Sequence, residues 1–480
     1  MADVDRAAVL ERAAGEGPFR PAYRKLTIGL ILVVVGVAFE ALAVATIMPA
    51  TIAELGGLRL YGWAFSAFLL ANLLGIVIAG EEADRIGPAA PFAAGVALFT
   101  IGLLVGGFAN SMAILIAGRV VQGFGGGIIG SIAYVTVGRG YPAPIQPRIL
   151  AFMSTAWVVP GLVGPAIAGV IAEAIGWRWV FLGLAPLPPL AALLAFPALR
   201  RIRAGSSQSR DVGRLWSALR LSGGAGLLLA GLGQSSPLFS IPMVSGGALL
   251  AIPALARLLP AGTLRARAGL PAAVGVMGLL NLAFFGVDAF VPLALVEVRH
   301  RSVAFAGLAL TAATIFWTSG SWVQARFSSR VSRRRLVRTG LSLVSIGSLG
   351  TALLLLPRVS VLAGPFAWGV AGLGMGIAYS TLSLTILENA AAGREGEAAA
   401  SIQLANVLGG GLGTGIGGAA IGLLGSEASG LRTALATQFL AMVAVLGFAL
   451  VIAGRLPGRR PLFAPDQGEP AQASSDVQHR

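Results

Sequence analysis

The chain of 480 residues contains no cysteine, which excludes disulfides, thiolate nucleophiles and cysteine-ligated metals. Its two histidines, His300 and His479, are too few to build a histidine metal site or a Ser-His-Asp triad, and no metal site is expected. Charge is scarce: 11% of residues are Asp, Glu, Lys or Arg, against roughly 25% in a typical soluble domain. Lysine is almost missing, since Lys25 is the one lysine among 35 basic residues. With so few polar side chains a water-soluble fold could not cover its core. With 56% apolar residues the chain is also too hydrophobic for disorder. An all-α polytopic membrane protein is the class that remains.

Apolar stretches of about 20 residues, the length that crosses a ~30 Å hydrocarbon core, recur along nearly the whole chain. They read as 26–50, 61–81, 91–109, 112–137, 149–172, 177–198, 213–233, 237–259, 270–296, 303–325, 336–356, 361–387, 398–424 and 431–454, fourteen spans in all. The runs are continuous rather than alternating, whereas strands of a membrane barrel would be near 10 residues. Residues 1–25 carry both signs of charge and no short apolar region, so they do not form a cleaved signal sequence. Residues 455–480 are rich in Pro, Gln, Ser and charge, and are expected to be disordered.

A net charge of +15 on a soluble chain would suggest nucleic acid. Here the basic residues fall between apolar runs, where they report topology, and no nucleic-acid partner is expected. With an even number of spans and a cytoplasmic N-terminus, 28 of the 35 basic residues fall on the cytoplasmic side. Six fall outside (Arg59, Arg178, Arg299, Arg301, Arg358, Arg432), and Arg119 lies within a span. This asymmetry predicts a multi-pass protein of the cell's inner (plasma) membrane with both termini cytoplasmic.

The sequence also repeats itself. Shifted by 249 residues, Gly118-Arg119-Val120-Val121-Gln122-Gly123-Phe124-Gly125-Gly126-Gly127 falls on Ala367-Trp368-Gly369-Val370-Ala371-Gly372-Leu373-Gly374-Met375-Gly376, and Pro160 to Gly164 falls on Gly409 to Gly413. A shift of 248 places Glu40 on Asp288, and 245 places Arg85 on Arg330. Two six-helix bundles, 26–198 and 270–454, are therefore expected, separated by a linker over 199–269 that carries two inserted spans. Duplicated halves around a midplane site are a common transporter design.

Glu40, Arg119 and Asp288 are the ionisable residues well inside the predicted hydrocarbon. Each costs several kcal/mol to place there, which makes each a functional candidate. At the helical rise they lie about 15, 10 and 12 Å from the outer ends of their spans, depths that permit Glu40 and Arg119 to pair. One reading is a structural ion pair, with Asp288 facing a water-filled cavity. In the other, one or both carboxylates take up and release protons as desolvation and a nearby arginine alternately dominate; the residues alone do not choose between them. The stripe Asn281, Phe285, Asp288, Pro292 follows the spacing of one helix face. Asn72, Gln122, Trp157, Trp317, Tyr379, Gln403 and Asn406 are further candidates for a substrate cavity, the plainer alternative for each being an interhelical hydrogen bond or a lipid-facing ring.

Several stretches together resemble the major facilitator superfamily, in particular its fourteen-helix drug:proton antiporters. Gly80-Glu81-Glu82-Ala83-Asp84-Arg85-Ile86-Gly87 is similar to the family's cytoplasmic loop motif G-x-x-x-D-R-x-G, although Pro88 and Ala89 stand at its two closing basic positions. The resemblance implies that Gly80, Asp84, Arg85 and Gly87 form a latch between helix ends. Arg119-Val120-Val121-Gln122-Gly123 matches R-x-x-Q-G, whose arginine the family ties to proton coupling. Pro160-Gly161-Leu162-Val163-Gly164-Pro165-Ala166-Ile167-Ala168-Gly169 resembles the antiporter motif of the fifth helix, with Ala168 replacing one glycine. Phe39-Glu40 to Pro49 resembles the family's first helix, with Glu in place of Asp.

The resemblance implies a proton-coupled exporter of amphipathic, drug-like small molecules that works by alternating access. Protons would be the coupling ion, no cofactor would be needed, and a monomer in the lipid bilayer is expected. Export of an endogenous lipid, siderophore or metabolite is the alternative within the class. An enzyme would need a metal cluster, a triad or a phosphate loop of the form G-x-x-x-x-G-K-[ST], and the sequence has none of these.

Overall fold

The structure, a computed structural model, describes residues 18–204, 211–328, 330–390, 395–424 and 428–456. Most of the N-terminal segment and nearly all of the tail expected to be disordered lie outside the described residues. Among the described residues, fourteen helices are long and apolar enough to cross a membrane: α1 Arg24–Leu55, α2 Leu58–Ile86, α3 Ala89–Gly107, α4 Met112–Gly140, α5 Arg148–Ala174, α6 Arg178–Leu199, α7 Val212–Leu232, α8 Pro237–Leu258, α9 Leu270–Val298, α10 Val303–Phe327, α11 Arg333–Leu353, α12 Ala363–Glu388, α13 Glu397–Leu424 and α14 Gly430–Arg455. The protein is an all-helical, multi-pass membrane protein. Several helices run longer than the apolar runs, because a helix continues past the hydrocarbon until a cap or a glycine stops it. α1 ends at Gly56 and α2 at Gly87, both with positive φ. α4 and α10 begin at Ser111 and Ser302, whose hydroxyls accept the backbone N–H of Ile114 and Phe305.

The first six and last six helices pack in the same pattern. α2 packs on α4, α3 on α4 and α1 on α5; in the second half, α10 packs on α12, α11 on α12 and α9 on α13. Glycines at matching positions make the closest approaches. A Cβ on Gly123 would lie 2.1 Å from the Phe68 carbonyl oxygen, and one on Gly372 would lie 2.1 Å from that of Ala313. Nothing larger than glycine fits between these helices as they stand.

The two halves meet through α2 with α13 and α5 with α10. Among the described residues most arginines lie at the turns after α2, α4, α6, α8 and α10, which define an arginine-rich face. The described contacts between the halves run from mid-membrane to the opposite face. A Cβ on Gly62 would sit 2.5 Å from Gly418 Cα, one on Gly169 2.7 Å from Ala304 Cα, and one on Gly307 2.5 Å from the Pro165 oxygen. At the far end Glu173 Oε1 accepts the backbone N–H of Ala304 at 2.8 Å, joining α5 to α10. Toward the arginine-rich face, Trp157 and Trp322, which continue the facing stripes of α5 and α10, are 47% and 76% exposed. The molecule is thus closed at the arginine-poor face.

The inserted pair α7 and α8 pack on each other, and α7 also rests on both α2 and α13. Ser222 Oγ donates to the Leu70 carbonyl at 3.0 Å. Leu229 fills the notch over Gly415, and Leu221 and Ala225 join Leu70, Leu73 and Leu408 in one buried cluster. α7 therefore lies across one of the two seams between the halves. The other seam, α5 with α10, has no inserted helix over it.

The repeated glycine contacts yield a stability prediction. Gly123→Ala and Gly372→Ala should each destabilise by about 1–3 kcal/mol through overpacking. Gly130→Ala, with nothing within 4 Å of the new Cβ, should stay within about 0.5 kcal/mol. Thermal unfolding of the purified protein in detergent measures all three; equal effects would mean that the close approaches carry no weight.

Candidate functional site

Glu40 sits at the middle of α1 and is 1% exposed; Arg119, near the start of α4, is 2% exposed. Arg119 Nη1 donates to Glu40 Oε1 and, at 2.8 Å, to Gln122 Oε1. Its Nε donates to the Ala64 carbonyl at 2.9 Å, and its guanidinium lies 4.1 Å over the Phe68 ring. One cation thereby ties α1, α2 and α4 together. Two polar atoms of this group, Glu40 Oε2 and Gln122 Nε2, are buried without a hydrogen-bond partner.

Asp288 occupies the matching position in the second half. The α-helix of α9 stops at Asp288, turns at Ala289 and Phe290, and resumes at Val291 to end in a π-helical stretch, Ala294–Val298. Its Oδ1 accepts the indole N–H of Trp368 at 2.7 Å. Trp368 stands at the residue that matches Arg119 in the repeat, so each half holds its acid from the same place on the same helix. The donors differ: a guanidinium in the first half, a neutral indole in the second. Among the described residues Asp288 forms no ion pair.

An aromatic group surrounds this acid. Trp368 stacks on Phe284 at 4.9 Å, and Phe284 meets Phe285 and Trp317 edge-on at 5.5 and 5.4 Å. Trp317 in turn lies 5.8 Å from Tyr379. On the arginine-poor side, Tyr61 of the first half donates its hydroxyl to the Ala289 carbonyl at 2.7 Å and packs 5.3 Å from Phe290. Sequence reasoning singled out Phe285, Trp317 and Tyr379 but missed Trp368 and Phe284. The 249-residue offset, which places Trp368 on Arg119, carried the signal for Trp368.

Other expected cavity residues separate into two groups. Trp157 is exposed, and Gln403 and Asn406 are half-buried two turns and one turn before Gly410, which faces Leu69 and Phe285. Gln122 and Asn281 correct the expectation, since both are fully buried. Gln122 serves Arg119, and Asn281 donates back to the Met277 carbonyl of its own helix at 2.8 Å. Asn72 donates to the Gly123 carbonyl at 3.3 Å and joins α2 to α4. Gln438, absent from the expected set, donates to the carbonyls of Gly286 and Gly413 at 2.8 and 3.0 Å and braces the broken α9.

The model of the Major Facilitator Superfamily matches residues 28–414. The chain belongs to the Major Facilitator Superfamily. Among curated relatives, a protein of Mycobacterium tuberculosis named "Probable multidrug-efflux transporter" is 29% identical over 468 residues, covering 92% of this chain and 97% of its own. The multidrug transporter protein MdtP of Bacillus subtilis is 25% identical over 398 residues, 80% of this chain and 73% of its own. Two solved structures share the fold. A bacterial homolog of the human lysosomal transporter Spinster, inward-facing and unoccupied, has a TM-score of 0.65 at 15% identity, covering 91% of this chain and 98% of that one. A peptide transporter POT in complex with sulfate has 0.67 at 15% identity, with 93% and 98% covered.

In this superfamily transporter the fifth-helix motif forms the uncovered seam. Gly161 faces Thr314, Pro165 faces Gly307 and Gly169 faces Ala304, while Gly164 turns to Phe39 of α1 and Pro160 is buried. The loop motif is arranged differently from the expected latch. Asp84 pairs with Arg139 at the end of α4, but Arg85 stays on its own helix and pairs with Glu82 at 2.7 Å. Gly80 has open space toward Ser131, and Gly87 supplies the positive φ that ends α2. The second half repeats the pairing at the end of its fourth helix with charges reversed, Glu388 with Arg333.

Arg119→Ala would strand a buried carboxylate and should cost about 3–5 kcal/mol. The double variant Glu40→Gln/Arg119→Ala should recover much of that loss in thermal unfolding, and no recovery would show that the pair is not coupled. Glu173→Ala, which removes the acceptor, should loosen the closed face. Because the chain has no native cysteine, spin labels on Arg59→Cys and Arg301→Cys can read this as a longer distance population; an unchanged distribution would count against Glu173 as a tie.

Proposed function

We propose that this transporter exports amphipathic, drug-like small molecules in exchange for protons by alternating access. The observation that carries this reading is the pair of acids at matching positions in the two halves, one balanced by an arginine and the other held by a neutral indole. The names of the two relatives supply the substrate class. The arginine excess supports an orientation with the arginine-rich face and both termini in the cytoplasm, across the cell's plasma membrane. In that orientation the conformation described here is closed to the outside and receives substrate from the cytoplasm or the inner leaflet. The protein works as a monomer, needs no cofactor beyond the coupling proton and performs no catalysis.

Asp288 is the better placed proton carrier. An ion pair already balances Glu40, while a charged Asp288 has only one hydrogen bond from Trp368 and lies beside the contact between Tyr61 and Ala289 that closes the outer face. A proton arriving from outside when that contact opens would neutralise Asp288, free the indole and favour release of a cationic substrate from the aromatic surround. Return to the state closed outside would deliver the proton to the cytoplasmic gap. Glu40 and Arg119 keep the first half assembled and, through the unpartnered Glu40 Oε2, offer a second place for a proton.

Reconstituted vesicles test the reading. Asp288→Asn should lose at least tenfold in substrate-evoked proton flux while still exchanging labelled substrate across the membrane without a gradient. Trp368→Phe should keep transport but shift its pH profile, because it removes the indole donor and preserves the ring. Full proton-coupled export by Asp288→Asn would overturn the assignment. Substrate-independent current linear in voltage would indicate a channel.

A further inference from the structure

At the arginine-rich face, where α1 and α4 meet the end of α6, a pocket of about 610 Å³ lies away from the transport site. Its lining combines the apolar side chains of Tyr23, Leu26 and Ile202 with the guanidiniums of Arg139, Arg201 and Arg203. The apolar part of the lining is anchored. Thr27 shares a 3.0 Å hydrogen bond with the Tyr141 hydroxyl and donates to the Pro18 carbonyl at 2.8 Å, and the Tyr23 ring packs 5.6 Å from that of Tyr141. Burial pushes the Tyr141 phenol up to about 12, so it is neutral and adds no negative charge beside the pocket.

The arginines are unevenly satisfied. Arg139 is bound to Asp84 and to the Ala83 carbonyl. Arg201 and Arg203 are exposed and form no ion pair among the described residues. Two unbalanced guanidiniums beside apolar side chains, at the level where membrane helices end, suit a ligand with a phosphate at one end and hydrocarbon at the other. Arginine takes phosphate through paired N–H donors, and basic pockets at helix ends on the cytoplasmic side accept acidic headgroups. We infer that this pocket binds the headgroup of an anionic phospholipid of the inner leaflet. The assignment of leaflet rests on the orientation proposed above. Since Arg139 lines the pocket and also holds Asp84, a bound phosphate and the loop motif share one cation.

Binding in detergent tests this without reference to transport, so failure of drug export and failure of lipid binding are read separately. The full-length protein is titrated with short-chain phosphatidylglycerol, short-chain phosphatidylcholine and inorganic phosphate, following the unfolding midpoint. Phosphatidylglycerol should raise the midpoint saturably, and the other two should not. Arg201→Gln/Arg203→Gln should weaken phosphatidylglycerol by roughly 30-fold, at about 1 kcal/mol per arginine, and each single variant by roughly 5-fold. Arg200→Gln/Arg214→Gln removes the same charge outside the pocket and should bind like wild type. Equal binding of phosphatidylcholine, unchanged binding in the pocket variants, or equal loss in the control would overturn the site. The same stabilisation by inorganic phosphate would overturn the lipid assignment in favour of a free anion.

Discussion

A carboxylate inside a membrane must be neutralised where it stands, by a counter-ion, hydrogen bonds or a proton, because no water is at hand to solvate it. This requirement organises both halves of the transporter. In the first, Arg119 answers Glu40 and, having donors to spare, also takes the Ala64 carbonyl and Gln122 while lying over Phe68. The crossing of α1, α2 and α4 follows from that one cation, since moving any of the three would strand a buried charge or a donor. In the second, the same place on the matching helix holds Trp368, which offers Asp288 a single hydrogen bond and a large ring for Phe284 to stack on.

The two halves therefore share packing geometry while differing in charge. Close helix contacts recur at Gly123 and Gly372, because backbone packing tolerates nothing larger at either site. Charge compensation is free to differ once the helices are fixed, and it does so twice. The acids have an ionic partner in one half and a neutral one in the other, and the pairs at the ends of the fourth helices, Asp84 with Arg139 and Glu388 with Arg333, have opposite polarity. A symmetric frame thus carries an asymmetric charge arrangement, an ion pair in one half and a neutral hydrogen-bond donor in the other.

The seams between the halves are asymmetric too. α5 and α10 meet through Gly161, Gly169 and Gly307, small surfaces that let the two helices come close. Glu173 adds a single hydrogen bond at the closed end. On the other side α7 spans α2 and α13, anchored to one by Ser222 and to the other by Leu229 over Gly415. Among the described residues α7 thus covers one of the two seams, and the α5–α10 seam carries no inserted helix.

The sequence by itself determined the membrane class, the fourteen spans, the internal repeat and the charge asymmetry along the chain. These are legible because hydrocarbon penalises each polar group separately, so every window of about 20 residues carries its own evidence. It also isolated Glu40, Arg119 and Asp288, since an intramembrane charge stands out against an apolar run. Only the tertiary structure decided the partners. Trp368 reaches Asp288 from 80 residues away, Arg139 rather than Arg85 links Asp84 to another helix, and Gln122 and Asn281 turn into the protein instead of toward a cavity. Partner choice depends on how each helix is rotated and where it crosses its neighbours. Those are set by the joint fit of many side chains, Gly123 against Phe68 and Gly161 against Thr314 among them, and no single helix contains that information.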